Sequence, residues 1–138
     1  MKGVYLLLLE LKKSLNIKVG SLGKISFRRG LYLYVGSAQN SLEKRIQRHC
    51  SKQKKKHWHI DYLTASLFVN VVKVYTTNKE KSFEQELAIK LSEHIPYIKG
   101  FGSTDSLAKS HLFYVPKVDF DVLRDLISGL KLKELPPK

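Results

Sequence analysis

The chain has 138 residues, 43% of them apolar, which predicts one folded domain with a single sizeable core and excludes wholesale disorder. It carries 25 Lys and Arg against 12 Asp and Glu, a formal net charge of +13 that favours polyanionic partners, nucleic acid before acidic membranes. No apolar run approaches the roughly 18 residues of a membrane span, and one cysteine, Cys50, excludes an intramolecular disulfide and suits a reducing cytoplasm.

The opening segment MKGVYLLLLELKK has Glu10 where a signal peptide would need a small-residue cleavage site. Its GVYLLLLEL portion predicts a strand buried on both faces. NIKVGSLGKISFRRG, with turn glycines at Gly20, Gly23 and Gly30, predicts a hairpin excursion. LYLYVG is the next strand, and NSLEKRIQRHC is a helix with Ser41 as its N-cap. The lysine-rich loop SKQKKKH leads to a short helix in HIDYLTASL, then a strand in FVNVVKVYTT. SFEQELAIKLSEH is a helix stopped by Pro96, GFGSTDSLAKS is loop, HLFYV is strand-like, and DFDVLRDLISGL is a closing helix after Pro116. Strands and helices mix without strict alternation, so an α+β fold is expected, with a central, mainly antiparallel sheet flanked by helices. The domain is expected over residues 1–130, and 131–138 as a flexible C-terminal tail.

Two helices carry the informative patterns. In the first, Leu42, Ile46 and Cys50 recur at four-residue spacing as a buried stripe, and the Arg45–His49 row borders it. Lys44, Gln47 and Arg48 are expected to face away. On the strand before it, Tyr32 and Tyr34 share one face, which Tyr5 joins if the first strand lies alongside. In the second helix Leu87, Ala88, Leu91 and Ile95 follow Glu84 at +3, +4, +7 and +11, so Glu84 falls on the apolar face. A buried, unpaired carboxylate costs several kcal/mol. Glu84 therefore needs a divalent metal, a hydrogen-bond donor, a proton, or a Lys or Arg at the edge of that face.

GVY at Gly3 to Tyr5, YVG at Tyr34 to Gly36, then Arg45, His49 and an inward Glu84 together resemble the GIY-YIG nuclease superfamily. HWHIDYL, FGSTD and SHLFY resemble more closely the mostly archaeal domain-of-unknown-function family 123, sometimes found joined to endonuclease III-like repair proteins. The superfamily resemblance implies metal-dependent phosphodiester hydrolysis, on DNA more than RNA, in a repair setting with a possible repair-protein partner. It implies Tyr5 and Tyr34 at the cleavage centre, one of them a general base, and Arg45 on the scissile phosphate. It implies one Mg²⁺ or Mn²⁺ on Glu84, His49 beside the nucleophile, and a 5′ phosphate on the product. Ser37 stands where many relatives have Lys, so help in deprotonating a tyrosine has to come from elsewhere. The Tyr34 to Arg45 spacing is slightly longer than in the repair-nuclease branch. The alternative function is a nucleic-acid-binding accessory module that kept the fold without the reaction.

Other residues read two ways. From Lys44 to Lys56 the chain has seven positive residues and no acidic one. Arg48, Lys52, Lys54, Lys55 and Lys56 read as a phosphate-tracking edge or as a solvated loop. His57, His59 and Asp61 read as a zinc site, as groups near substrate, or as ordinary packing. Asp105 and His111 border a cleft, or are a capping aspartate and a surface histidine. Trp58 reads as a core or interface aromatic.

Overall fold

The leucine run of the first strand, β1 (Gly3–Leu11), is the middle of the molecule. The computed structural model describes residues 2–103, 106–130 and 132–135. A hairpin follows β1: β2 (Leu15–Lys18) and β3 (Lys24–Phe27), with the turn between them closed by Val19 N–H donating to the Gly23 carbonyl at 2.9 Å. Then come β4 (Gly30–Ala38), α1 (Leu42–Cys50), α2 (His59–Thr64) and β5 (Val69–Thr77). The chain continues through α3 (Lys81–Ser92), β6 (Leu112–Val115), α4 (Phe120–Gly129) and β7 (Lys133–Leu135).

Among the described residues this is an α+β fold with four α-helices and a five-stranded sheet in the order β6-β4-β1-β5-β7, every pairing antiparallel. Because β1 lies between β4 and β5, both of its faces need cover, and the sequence supplies it. Tyr5, Leu7, Leu9 and Leu11 point into one core with Tyr32, Tyr34, Leu42, Ile46 and Ile60, under α1, α2 and the hairpin. Val4 and Leu6 point into the other, with Leu33, Val35, Leu87, Leu91 and Leu123, under α3 and α4. Among the described residues no helix is long and apolar enough to cross a membrane.

The end of β4 decides where a site can form. β6 pairs with Leu31 through Tyr34 only, and Val35 N–H then donates to the His111 carbonyl at 3.0 Å. Beyond that bond Gly36, Ser37 and Ala38 pair with β1 alone, leaving an open sheet edge. The opposite edge differs from the expected flexible tail. Lys133, Glu134 and Leu135 pair with Thr76, Tyr75 and Val74, because the outer rim of β5 offers unpaired backbone groups for a strand to satisfy. Residue 131 and residues 136–138 of that tail lie outside the described residues.

Candidate functional site

Two helices meet at the open end of β4. Ser41 caps α1, accepting from Lys44 N–H at 3.2 Å, which fixes the register of the Arg45–His49 row against the sheet. The buried positions of α1 are Leu42, Ile46 and His49, and Cys50, expected on the stripe, packs half-buried against the same core. The polar ring takes the deeper position because it has a partner there: His49 Nε2 and Tyr5 Oη are 2.6 Å apart. His49 Nδ1 is buried and finds no hydrogen-bond partner among the described residues.

On β1 and β4, Tyr5 stands opposite Gly36 and Tyr34 opposite Leu7, so the two phenols lie on one face with ring centroids 6.4 Å apart. Gly36 is what makes the space. A Cβ there would lie 2.5 Å from Tyr5 Cζ and Oη, so only a glycine lets the Tyr5 ring cross the neighbouring strand. From the other face of the sheet, α3 brings Glu84 against β4. Ser37 Oγ donates to Glu84 Oε1 at 2.8 Å, and His111 Nδ1 lies 3.6 Å from Oε2. His111 is buried, with Nδ1 3.2 Å from the Val35 carbonyl and Nε2 3.1 Å from Ser106 Oγ. It is not the surface histidine of the blander reading.

The result is a cleft of about 580 Å³ that reaches around the open edge of β4 and joins both faces. Tyr5, Tyr34, Arg45, His49, Glu84 and His111 all line it. Arg45 is fixed twice, donating from Nη1 to the Ser37 carbonyl at 3.0 Å and lying with its guanidinium carbon 4.2 Å from the centre of the Trp58 ring. Burial pushes both phenols well above their ordinary pKa, with Arg45 pulling Tyr5 the other way. Burial also lowers His49, to about 3, helped by the positive charge of Lys54. His49 is therefore neutral at ordinary pH.

HWHIDYL is a brace for this cleft. The Asp61 carboxylate, fully buried, accepts from Arg48 Nη1 at 2.6 Å and from the N–H groups of His57 and Trp58 at 2.8 Å each, capping α2. Burial alone would raise that carboxyl; the hydrogen bonds from Arg48, Trp58 and His57 outweigh it and hold it below its ordinary value. His59 Nδ1 accepts from Gly102 N–H at 2.8 Å and so ties α2 to the loop lining the cleft. With Asp61 consumed by its cap and its ion pair, the zinc reading fails, and among the described residues no group of three His, Cys, Asp or Glu could hold a metal. His57 packs edge-on against Trp58.

The basic run divides. Arg48, expected to face away, turns back over Trp58 to Asp61 and also donates to the Lys55 carbonyl at 2.6 Å; its long side chain lets a solvent-side position reach a buried partner. Lys52 Nζ donates to the carbonyls of Thr64, Ser66 and Val69. Lys54 Nζ donates to the carbonyls of Arg48 and His49 and to Thr64 Oγ1, and burial lowers its pKa to about 8. Lys55 and Lys56 stay on the surface. Asp105 lies outside the described residues.

Sequence reasoning missed three contributors. Ser37 as the donor to Glu84 was legible only as a departure from a motif. Trp58 as the support of Arg45 had no periodic signal. Gln85, which accepts from Leu107 N–H at 2.9 Å and Ser106 Oγ at 3.3 Å, ties the cleft loop to α3 through a contact far apart in sequence.

The family model described as "Domain of unknown function DUF123" matches residues 4–131, a span that takes in every cleft residue named above. The chain belongs to the DUF123 family. Comparison with curated proteins and with solved structures finds no match. Within this DUF123 chain, the segments HWHIDYL and SHLFY thus supply the brace behind Arg45 and the histidine beside Glu84.

Proposed function

We propose that this DUF123 chain is a GIY-YIG-type nuclease that hydrolyses nucleic-acid phosphodiesters with one divalent metal. The observation that carries the reading is the cleft itself, where two phenols, a guanidinium, a neutral imidazole and one carboxylate converge from both faces of the sheet. Preference for DNA and a place in repair rest on the sequence resemblance alone. The basic charge supports a polyanionic substrate: 15 of the 25 Lys and Arg fall between Lys12 and Lys79, against two acidic residues there.

Glu84 suits a magnesium-type ion. It is partly open to the cleft, with a side chain 18% exposed, and Mg²⁺ accepts one carboxylate while taking its other ligands from water and phosphate oxygens. Ser37 and His111 hold that carboxylate in place, as the partners of metal-binding carboxylates do. Bound there, Mg²⁺ or Mn²⁺ would supply a Lewis acid that neutralises charge on the phosphate. Arg45, already braced by Ser37 and Trp58, holds a phosphate oxygen and stabilises the charge that develops on it. Tyr5 takes a proton from the attacking water while passing its own to His49 Nε2, 2.6 Å away. That relay spares Tyr5 a free phenolate but puts the proton on His49, whose charged form burial and Lys54 also disfavour, so the negative charge of the bound phosphate has to offset the imidazolium.

Incubating the protein with Mg²⁺ or Mn²⁺ and branched, flapped, damaged and single-stranded DNA and RNA tests the reading. Metal-dependent cleavage lost in Glu84→Ala is expected, and cleavage no greater than that of Glu84→Ala on every substrate overturns it. The second reading, a binding module without turnover, is favoured by the pKa shifts, which leave neither phenol nor His49 titrating near neutral pH. It predicts salt-dependent binding barely changed by Arg45→Ala.

A further inference from the structure

We propose that the outer face of the β2–β3 hairpin is a phosphate-binding ribbon, which holds the nucleic-acid backbone running on from the cleft. This deepens the nuclease reading by assigning a second, sequence-independent contact to the same substrate.

Three observations lead to it. First, between Glu10 and Glu43 the chain has six Lys or Arg and no acidic residue, so the hairpin region is uniformly positive without internal neutralisation. Second, the hairpin sorts its side chains by face. Leu15, Ile17, Ile25 and Phe27 pack on the core, whereas Asn16, Lys18, Lys24 and Ser26 are exposed. Lys18 stands directly opposite Lys24 in the register. Like charges at opposed positions destabilise a strand pair, and this pair sits where either lysine could be any polar residue without disturbing the core. A partner bearing negative charge turns that local cost into attraction. The neighbouring pair, Asn16 and Ser26, offers the short polar side chains that accompany Lys in phosphate contacts.

Third, the ribbon is joined to the cleft. Gly20 at the hairpin turn, with φ of 46°, lies against the Tyr62 ring of α2, where a Cβ would be 3.6 Å from it. Lys56 Nζ lies 5.7 Å from the centre of the same ring. Two residues further on, Trp58 lines the cleft and supports Arg45. The hairpin turn at Gly20 and Lys56 thus share the Tyr62 ring, which sets the end of the Lys18–Lys24 ribbon beside the basic segment that leads on to Trp58 and Arg45. A two-stranded ribbon also has the width to enter the major groove of a duplex beside its phosphates. An acidic lipid surface is less suited to it, because the hairpin's apolar side chains are turned into the core and leave none to insert.

The test is fluorescence anisotropy of a labelled duplex DNA, without divalent metal, against the full-length chain and its Lys18→Gln/Lys24→Gln variant. The expected result is about tenfold weaker binding and a log–log salt slope reduced by about 2, because two phosphate contacts are lost. A Lys90→Gln/Lys117→Gln variant removes the same charge from α3 and the approach to α4 and is expected to bind like wild type. Equal loss in both variants overturns the proposal, since net charge alone would then explain it. Unchanged duplex binding by the hairpin variant overturns it too, as does loss confined to sedimentation with phosphatidylserine vesicles. Both variants change exposed positions, and thermal melting checks that they fold. The two readings fail separately. Absent cleavage with hairpin-dependent binding removes the nuclease and keeps the ribbon; normal cleavage with hairpin-independent binding does the reverse.

Discussion

Ser37 and Glu84 are joined across the sheet and helix by a 2.8 Å hydrogen bond from the serine hydroxyl to carboxylate oxygen Oε1. The bond aims the carboxylate toward the cleft at the point where β4 loses its β6 neighbour. If Glu84 holds the metal, Ser37→Ala lowers Mn²⁺ affinity about tenfold through loss of that orientation, and Glu84→Gln abolishes it. Calorimetric titration with Mn²⁺ measures both. Equal affinity in Ser37→Ala and wild type would show that the serine does not set the carboxylate's geometry.

The neutral, buried His49 makes the protein sensitive to mild acid. Its folded pKa of about 3 lies below the ordinary 6.5, so the unfolded chain binds the extra proton between those values. Stability therefore falls as pH drops from about 6.5, by at most about 1.4 kcal/mol per pH unit for one proton. Burial lowers His59 as well and adds a contribution of the same sign. Asp61, held below its ordinary 3.8, acts only in stronger acid. Chemical denaturation between pH 4 and pH 6.5 is expected to give a shallower stability slope for His49→Gln than for wild type. Parallel slopes would show that His49 already carries its proton in the folded protein.

The lysine run predicts opposite phenotypes for adjacent residues. Lys52 satisfies three carbonyls near the end of α2, so Lys52→Ala leaves polar groups unpaired and destabilises by about 2 kcal/mol. Its nucleic-acid affinity stays near wild type. Lys55 and Lys56 are exposed, so Lys55→Ala/Lys56→Ala weakens binding and leaves stability within about 0.5 kcal/mol. Denaturant melts and anisotropy titrations on the two variants separate the roles. Matching losses of affinity in both would place Lys52 on the interface after all.

How much of this could be read in the sequence depended on whether a residue's partner was local. Glu84 announced itself because helical periodicity is a local signal, and its apolar neighbours Leu87, Ala88 and Leu91 are indeed buried. The strand alternation of Tyr32 and Tyr34 survived for the same reason, as did the Ser41 cap. Arg48 misled because a helical wheel records where a side chain starts, not where a long one ends. Lys52 and Lys54 misled because composition registers charge and cannot see the carbonyls that consume it. Leu135 and its neighbours gave no strand signal, since three residues gain their structure entirely from the edge of β5. The Tyr5–His49 contact spans 44 residues and needed the pairing of β1 with β4 to appear.

The tightest spatial constraint on the cleft is the missing side chain at Gly36. Its position faces Tyr5 across the β1–β4 pairing, and a Cβ would overlap Tyr5 Cζ and Oη at 2.5 Å and Cε2 at 2.9 Å. The ring cannot yield easily, because its hydroxyl is tied to His49 at 2.6 Å and its residue is only 2% exposed. Gly36→Ala therefore forces Tyr5 off its rotamer or pushes β4 away from β1, at a cost of about 1–3 kcal/mol. If Tyr5 takes the proton from the attacking water, the same displacement breaks the relay to His49, and cleavage falls by at least about 100-fold. Tyr5→Phe separates the two effects, since it keeps the packing and removes only the hydroxyl. Its stability is expected to fall by about 1–3 kcal/mol, because the buried His49 Nε2 loses its partner while β1 and β4 stay in register, and its cleavage falls as far as that of Gly36→Ala. Full cleavage by Tyr5→Phe would move the proton transfer to Tyr34 or His49 and leave Gly36 with a packing role alone.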